Sequence, residues 1–165
     1  RQHHFRADKK ISPRVAMSKR PTIISACLMG INCRYDGENC LYPDLSTIVE
    51  DGWAIPCCPE QLGGLPTPRP PAEINHQGRV LTKDGEDITN LYQNGAIETI
   101  KLIKMVRPER ILLKSKSPMC GLDQIYSGDF TQRLIPGDGI LTRALKDQGW
   151  ADRLQSIDVV DKNSK

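Results

Sequence analysis

Short runs of branched apolar residues, each too brief for a helix, alternate along this chain with helical or loop-forming stretches. Thr22–Leu28 (TIISACL), Trp53–Cys57 (WAIPC), Arg110–Lys114 (RILLK) and Ile157–Val160 read as strands. Between them, Pro43–Glu50 reads as a short helix stopped near Gly52. In Ile88–Val106 the residues Ile88, Leu91, Tyr92, Ala96, Thr99, Ile100, Ile103 and Val106 recur at steps of three and four, and Pro108 ends that helix. Gly139–Gln148 is a further helix, closed by Gly149. Strands separated by helices pair in parallel. The order β-α-β-loop-α-β-loop-α-β therefore predicts an α/β fold: a mainly parallel sheet with helices on both faces, a Rossmann-like three-layer sandwich. Sheets of this kind bind ligands at the carboxyl ends of their strands.

From Pro59 to Pro71 the chain is mostly Gly and Pro, which predicts a rigid loop that is neither helix nor central strand. Gly78–Asp87 reads as a small hairpin. No apolar run approaches the ~18 residues of a membrane span. The box Ile24-Ser25-Ala26-Cys27 is preceded by too short an apolar stretch for a lipoprotein signal. The cytoplasm is the expected location. Residues 1–20 show no apolar face and read as a disordered leader or an expression tag, with Met17 as the natural start. Residues 21–160 form a single domain, and 161–165 a frayed tail. The chain's formal charge is +3, but the leader holds seven bases against Asp8 alone, leaving residues 21–165 at about −3. With no basic, aromatic-bearing patch outside the leader, long nucleic acid is disfavoured as a partner.

Six cysteines stand in a chain of 165 residues, long enough to fold without disulfide or metal staples. Cys27 closes the first strand, Cys57-Cys58 the second, and Cys120 lies in the loop after the third. Topology thus gathers cysteines distant in sequence at one rim. Zinc sites favour paired C-x₂₋₄-C knuckles, whereas Cys27, Cys33 and Cys40 are six and seven residues apart. A redox Cys-x-x-Cys is absent. Iron–sulfur clusters accept thiolates from scattered loops, and three such ligands would leave one iron open as a Lewis acid. A cysteine at a strand end is more often core packing, which is the expectation for Cys33, Cys40 and Cys57.

The neighbours of the other three carry more. Cys27-Leu28-Met29-Gly30, Cys33-Arg34-Tyr35-Asp36-Gly37, Cys58-Pro59-Glu60, Gly63-Gly64-Leu65-Pro66-Thr67-Pro68-Arg69, Pro71-Ala72-Glu73 and Lys114-Ser115-Lys116-Ser117-Pro118-Met119-Cys120-Gly121 form a set. From about Ile23 to Val160 the chain resembles the TudS thiouracil desulfidase family. The resemblance implies a [4Fe-4S] cluster with three protein ligands, Cys27, Cys58 and Cys120, and one open iron that takes the substrate's sulfur. It also implies Glu60 and Ser117 as catalytic residues and a small thiolated nucleobase or nucleoside as partner. The implied reaction is non-redox desulfuration of thiouracil to uracil and hydrosulfide. Cys57 stands where the family usually has an apolar residue, so two adjacent thiols compete for one ligand position. Met119 replaces a usual small residue, with a changed pocket as the expectation. Beside this, Glu60 as a turn cap and Ser117 as a backbone partner are the structural readings. Arg69 reads either as a clamp for an anion or uracil carbonyl, or as an ion-pair partner of Glu73 or Asp36. Lys114 reads as charge near the site or a solvated base, Asp36-Gly37 as a turn, and His76 as a solvated loop residue. A structural or sensory cluster- or metal-binding protein, and a desulfuration module for thiolated tRNA, are the alternative functions.

Overall fold

Four strands meet edge to edge because each carries branched apolar residues on a backbone too short to close a helix. They are β1 (Thr22–Ser25), β2 (Ala54–Cys57), β5 (Arg110–Lys114) and β8 (Leu154–Ile157). The computed structural model describes residues 20–49 and 53–159. The sheet runs β2-β1-β5-β8, wholly parallel, with Ile23 paired to Ile55 on one side and Ile111 on the other. Its two central strands are the most apolar, and Ile24, Ile111 and Leu112 are fully buried. Pro56 cannot donate to a ladder and sits on edge strand β2, where no further neighbour needs the bond.

One face of the sheet is covered by helices α3 (Thr89–Val106) and α4 (Ile140–Asp147). Their apolar stripes, including Tyr92, Ala96, Ile100, Ile103, Leu141 and Leu145, pack with Ile23, Cys57, Ile111 and Leu113. Helix α3 ends at Arg107, left-handed at φ 49°, immediately before Pro108. The opposite face carries Ile24, Leu112 and Ile157. They lie under a 3₁₀ turn at Ala26–Met29 and the following loop with its one-turn helix α1 (Leu45–Ile48). The three layers are present but unequal: two regular helices on one side, mostly loop on the other.

Several boundaries differ from expectation. The first strand stops at Ser25, and Cys27 lies in the 3₁₀ turn closed by Gly30 at φ 84°. The last strand is Leu154–Ile157 instead of Ile157–Val160. As an edge strand it exposes Gln155 and Ser156, which hides its apolar signal. The Gly- and Pro-rich segment opens with a helical turn, α2 (Pro59–Leu62), since proline at the first helical position gives up only an N–H with no helical partner. The expected turn within 78–87 forms, with Leu81 bridged antiparallel to Asp87 and the Thr82 N–H donating to the Glu86 carbonyl, and a longer pairing lies before it. Strand β3 (Ala72–Ile74) pairs with β4 (Val80–Thr82) across a turn in which the Asn75 side chain accepts from the N–H groups of Gln77 and Arg79. A second hairpin, β6 (Gln124–Tyr126) with β7 (Leu134–Pro136), gave no period in the sequence because each strand has three residues. Residues 1–19, the Gly52 helix stop, Val160 and the 161–165 tail lie outside the described residues. Among the described residues no helix is long and apolar enough to cross a membrane.

Helices α2 and α3 approach at two glycines. A Cβ on Gly63 would stand 2.1 Å from the Leu91 carbonyl oxygen, and one on Gly95 would stand 2.0 Å from that of Pro59. Alanine is better than glycine by about 1 kcal/mol in a helix interior, yet at position 95 backbone must move to admit it. Gly95→Ala is expected to lower stability by about 1–3 kcal/mol, read as a lower urea midpoint at unchanged slope.

Candidate active site

The chain leaves β1 towards β2 on one side and later returns to β5 on the other, so the switch point of the sheet lies at the carboxyl ends of β1 and β5. The loops leaving β1, β2 and β5 carry Cys27, Cys58 and Cys120 respectively. All six cysteines are free thiols.

The three thiols read as packing are buried in the core, Cys57 on the α3 side and Cys33 and Cys40 on the other. Cys33 also lies in hydrogen-bonding contact with both Cys27 and Cys58. Cys40 contacts Cys27, and its N–H donates to the Cys27 carbonyl at 3.0 Å. The Cys58 thiol also approaches the Cys33 carbonyl, at 3.9 Å. Within this cluster the proton inventory is uneven. Donation from Cys27, then from Cys58, holds Cys33 far below the usual thiol range. Cys27 and Cys58 are both raised, chiefly by their bonds to Cys33. Cys120 is pushed up to about 12, mainly by burial, although the hydroxyls of Ser25 and Ser117 beside it act in the opposite direction.

The adjacent pair separates cleanly. Cys57 is turned under α3, with its Sγ 3.8 Å from Thr99 Oγ1, and burial raises its thiol. Cys58, between β2 and α2, meets Cys33 instead. Strand alternation, followed by the turn into α2, produces that split.

Glu60 lies on the first turn of α2 with both carboxylate oxygens engaged. Arg69 Nε donates to Oε2 at 2.7 Å, with Nη2 also paired to that oxygen, and Tyr92 Oη donates to Oε1 at 3.0 Å. Arg69 is buried and spends its remaining donors on the carbonyls of Pro66 and Cys33 and on Thr67 Oγ1. Neither expected ion pair of Arg69 forms. Asp36 pairs with Arg34, and Glu73 accepts from the N–H groups of Gly128 and Phe130 at the tip of the β6–β7 hairpin. Ser117 Oγ accepts from the N–H groups of Met119 and Cys120, both at 3.1 Å, so the backbone bonding weighed in the sequence is present. The Ser117 hydroxyl also lies beside the Cys120 thiol. Met119 is fully buried in the core against Gly95 instead of shaping an open pocket. Lys114 Nζ bonds Ser115, Asp36-Gly37 forms the expected turn, and His76 lies in the β3–β4 turn.

The profile of the 2-thiouracil desulfurase family matches residues 22–153. This chain belongs to that family. It is 38% identical over 137 residues to the "Uncharacterized protein YbbK" of Bacillus subtilis (strain 168), covering 78% of this chain and 91% of that protein. A solved structure titled as the [4Fe-4S]-dependent thiouracil desulfidase TudS superposes with a TM-score of 0.75 at 38% identity, covering 84% of this chain and 91% of that one. The desulfurase family is one of enzymes, and the parallel sheet described above agrees with that likeness. Among the described residues, no three His, Cys, Asp or Glu side chains are arranged to hold a single metal ion. The donor chemistry instead fits a larger thiophilic group: Cys27 and Cys58 meet around Cys33, and Cys120 is close enough to Cys27 to act on its charge. Sequence reasoning missed Cys33, Tyr92 and Ser25, whose Oγ accepts from the Lys114 N–H beside Cys120. Only Cys33, inside a motif, left a signal.

Removing Arg69 would strand a part-buried carboxylate and the carbonyls of Pro66 and Cys33. Arg69→Ala is expected to cost about 3–5 kcal/mol in chemical denaturation. Arg69→Lys should recover only part of it, since an ammonium lacks the planar fork.

Proposed function

We propose that this protein hydrolyses the carbon–sulfur bond of a free thiolated pyrimidine, thiouracil to uracil and hydrosulfide, with a [4Fe-4S] cluster held by Cys27, Cys58 and Cys120. The observation that carries this reading is the convergence of loop thiols with a doubly anchored carboxylate at one sheet rim, in a member of the desulfurase family. Three protein thiolates leave one iron open, and the bound cluster would supply a soft Lewis acid that polarises the thiocarbonyl. The other roles fall to side chains of the protein. Glu60 takes a proton from the water that adds to the sulfur-bearing carbon. The Ser117 hydroxyl, its oxygen steadied by two backbone N–H groups, donates to the ring nitrogen. One water is consumed and no electrons change hands: a C–O bond replaces the C–S bond, and sulfur leaves as hydrosulfide. The net negative charge of residues 21–165 favours a free base or nucleoside over long RNA. Free thiols agree with a reducing, cytoplasmic setting.

Anaerobic reconstitution with iron and sulfide is expected to give a brown protein that bleaches the near-ultraviolet band of 4-thiouracil. Loaded protein that leaves 4-thiouracil intact overturns the reading. Cys27→Ser, Cys58→Ser and Cys120→Ser should each lose cluster absorbance, whereas Cys57→Ser should keep it. Glu60→Gln and Ser117→Ala are expected to retain the cluster while kcat falls about a hundredfold or more. Wild-type turnover in either variant reassigns that residue to a structural role.

A further inference from the structure

Helix α3 touches the Cys57–Glu60 segment along a single stripe. Thr99 Oγ1 is 3.8 Å from Cys57 Sγ, Gly95 lies against the Pro59 carbonyl, and Tyr92 Oη is 3.0 Å from Glu60 Oε1. Positions 92, 95 and 99 are separated by three and four residues, so they stack on one helix face. They meet residues 60, 59 and 57 in reverse order. The two glycine contacts leave no room for the segment to slide along the helix. The Tyr92 hydroxyl therefore arrives at Glu60 from a rigid support.

The carboxylate is gripped on both sides by different elements. Arg69 holds Oε2 from the Pro-rich loop, while Tyr92 holds Oε1 from the helix. An ionised carboxylate has about four acceptor positions, so the two anchors leave some free for water. Held at Oε2 alone, the group keeps its broad terminal torsion. Held at both oxygens, it presents one orientation. Tyr92 is 2% exposed, and burial, then the charge of Glu60, raises its phenol well above the usual value, so it remains a donor.

We propose that Tyr92 is a positioning residue for the desulfuration reaction, its hydroxyl fixing the Glu60 carboxylate in the rotation from which it activates water. The inference rests on the proposed role of Glu60 and extends it to a residue of α3, 32 positions away along the chain. A side chain that only filled space would be replaced by phenylalanine without consequence, because the ring and its packing are retained.

The test is Tyr92→Phe, compared with wild type after identical cluster loading. The expected result is a fall of about tenfold in kcat with KM for 4-thiouracil and iron content close to wild type. A crystal structure of the variant should show the Glu60 carboxylate turned about its terminal torsion, with Arg69 still bound. Wild-type kcat in Tyr92→Phe, or a loss that follows iron content, overturns the proposal. An unmoved Glu60 in the crystal overturns it independently of any activity. Failure of Glu60→Gln to slow turnover would strike the catalytic reading of Glu60, a separate result from the position of its carboxylate in Tyr92→Phe.

Discussion

The buried guanidinium of Arg69 is the interaction on which the geometry of the site depends. Its planar fork reaches Glu60 Oε2, the Pro66 and Cys33 carbonyls and Thr67 Oγ1 together. It thus ties the loop after β1, which carries Cys33, to the turn after β2, which carries Cys58 and Glu60. A buried charge left without partners is costly, so the Pro-rich loop that delivers Arg69 must close in one way. The prolines at 66, 68, 70 and 71 serve that closure, because proline lowers the entropy lost when the loop is ordered.

Around this tie the protein separates rigidity from chemistry. The parallel sheet and α3 are apolar and regular, and they place three strand ends side by side. The thiols stand on the segments that leave those ends. Without a bound group they pack as small apolar side chains, with most protons retained by burial and by mutual hydrogen bonds. Thiolate ligands must be deprotonated, so occupation of such a site is coupled to proton release.

Regular elements were legible in the sequence, and contacts between loops were not. Helix α3 and strand β5 stood out because their apolar residues follow one period without interruption. Strand β8 lay outside its expected bounds because an edge strand buries little, and α2 was obscured by the glycines and prolines that follow it. Cys27, Cys58, Cys120, Glu60 and Ser117 were named from local motifs, and the structure brings Cys58 and Glu60 to the same turn. Cys33 was read as packing and is buried, but its place between Cys27 and Cys58 was hidden, because spacing along a chain says nothing of which loop folds over which. Tyr92 looked like any core position of an amphipathic stripe. Its hydroxyl acquires meaning only when the partner, 32 residues away, is known.

The departure at Met119 shows how the scaffold absorbs change next to the site. A longer side chain just before Cys120 was expected to alter the pocket. Instead Met119 is fully buried, its Cε 3.1 Å from where a Cβ on Gly95 would be. The absence of a side chain at position 95 therefore serves two neighbours, the Pro59 carbonyl on one and the Met119 methyl on the other. Volume added in the loop is taken up behind the site, in the gap the helix already leaves for α2. The backbone around Cys120 stays pinned by Ser117 Oγ and by the Cys120 carbonyl, which accepts from Thr142 Oγ1 of α4. The Met119 side chain is thus accommodated by the bare backbone at position 95, while a Cβ there would still meet the Pro59 carbonyl whatever stands at 119.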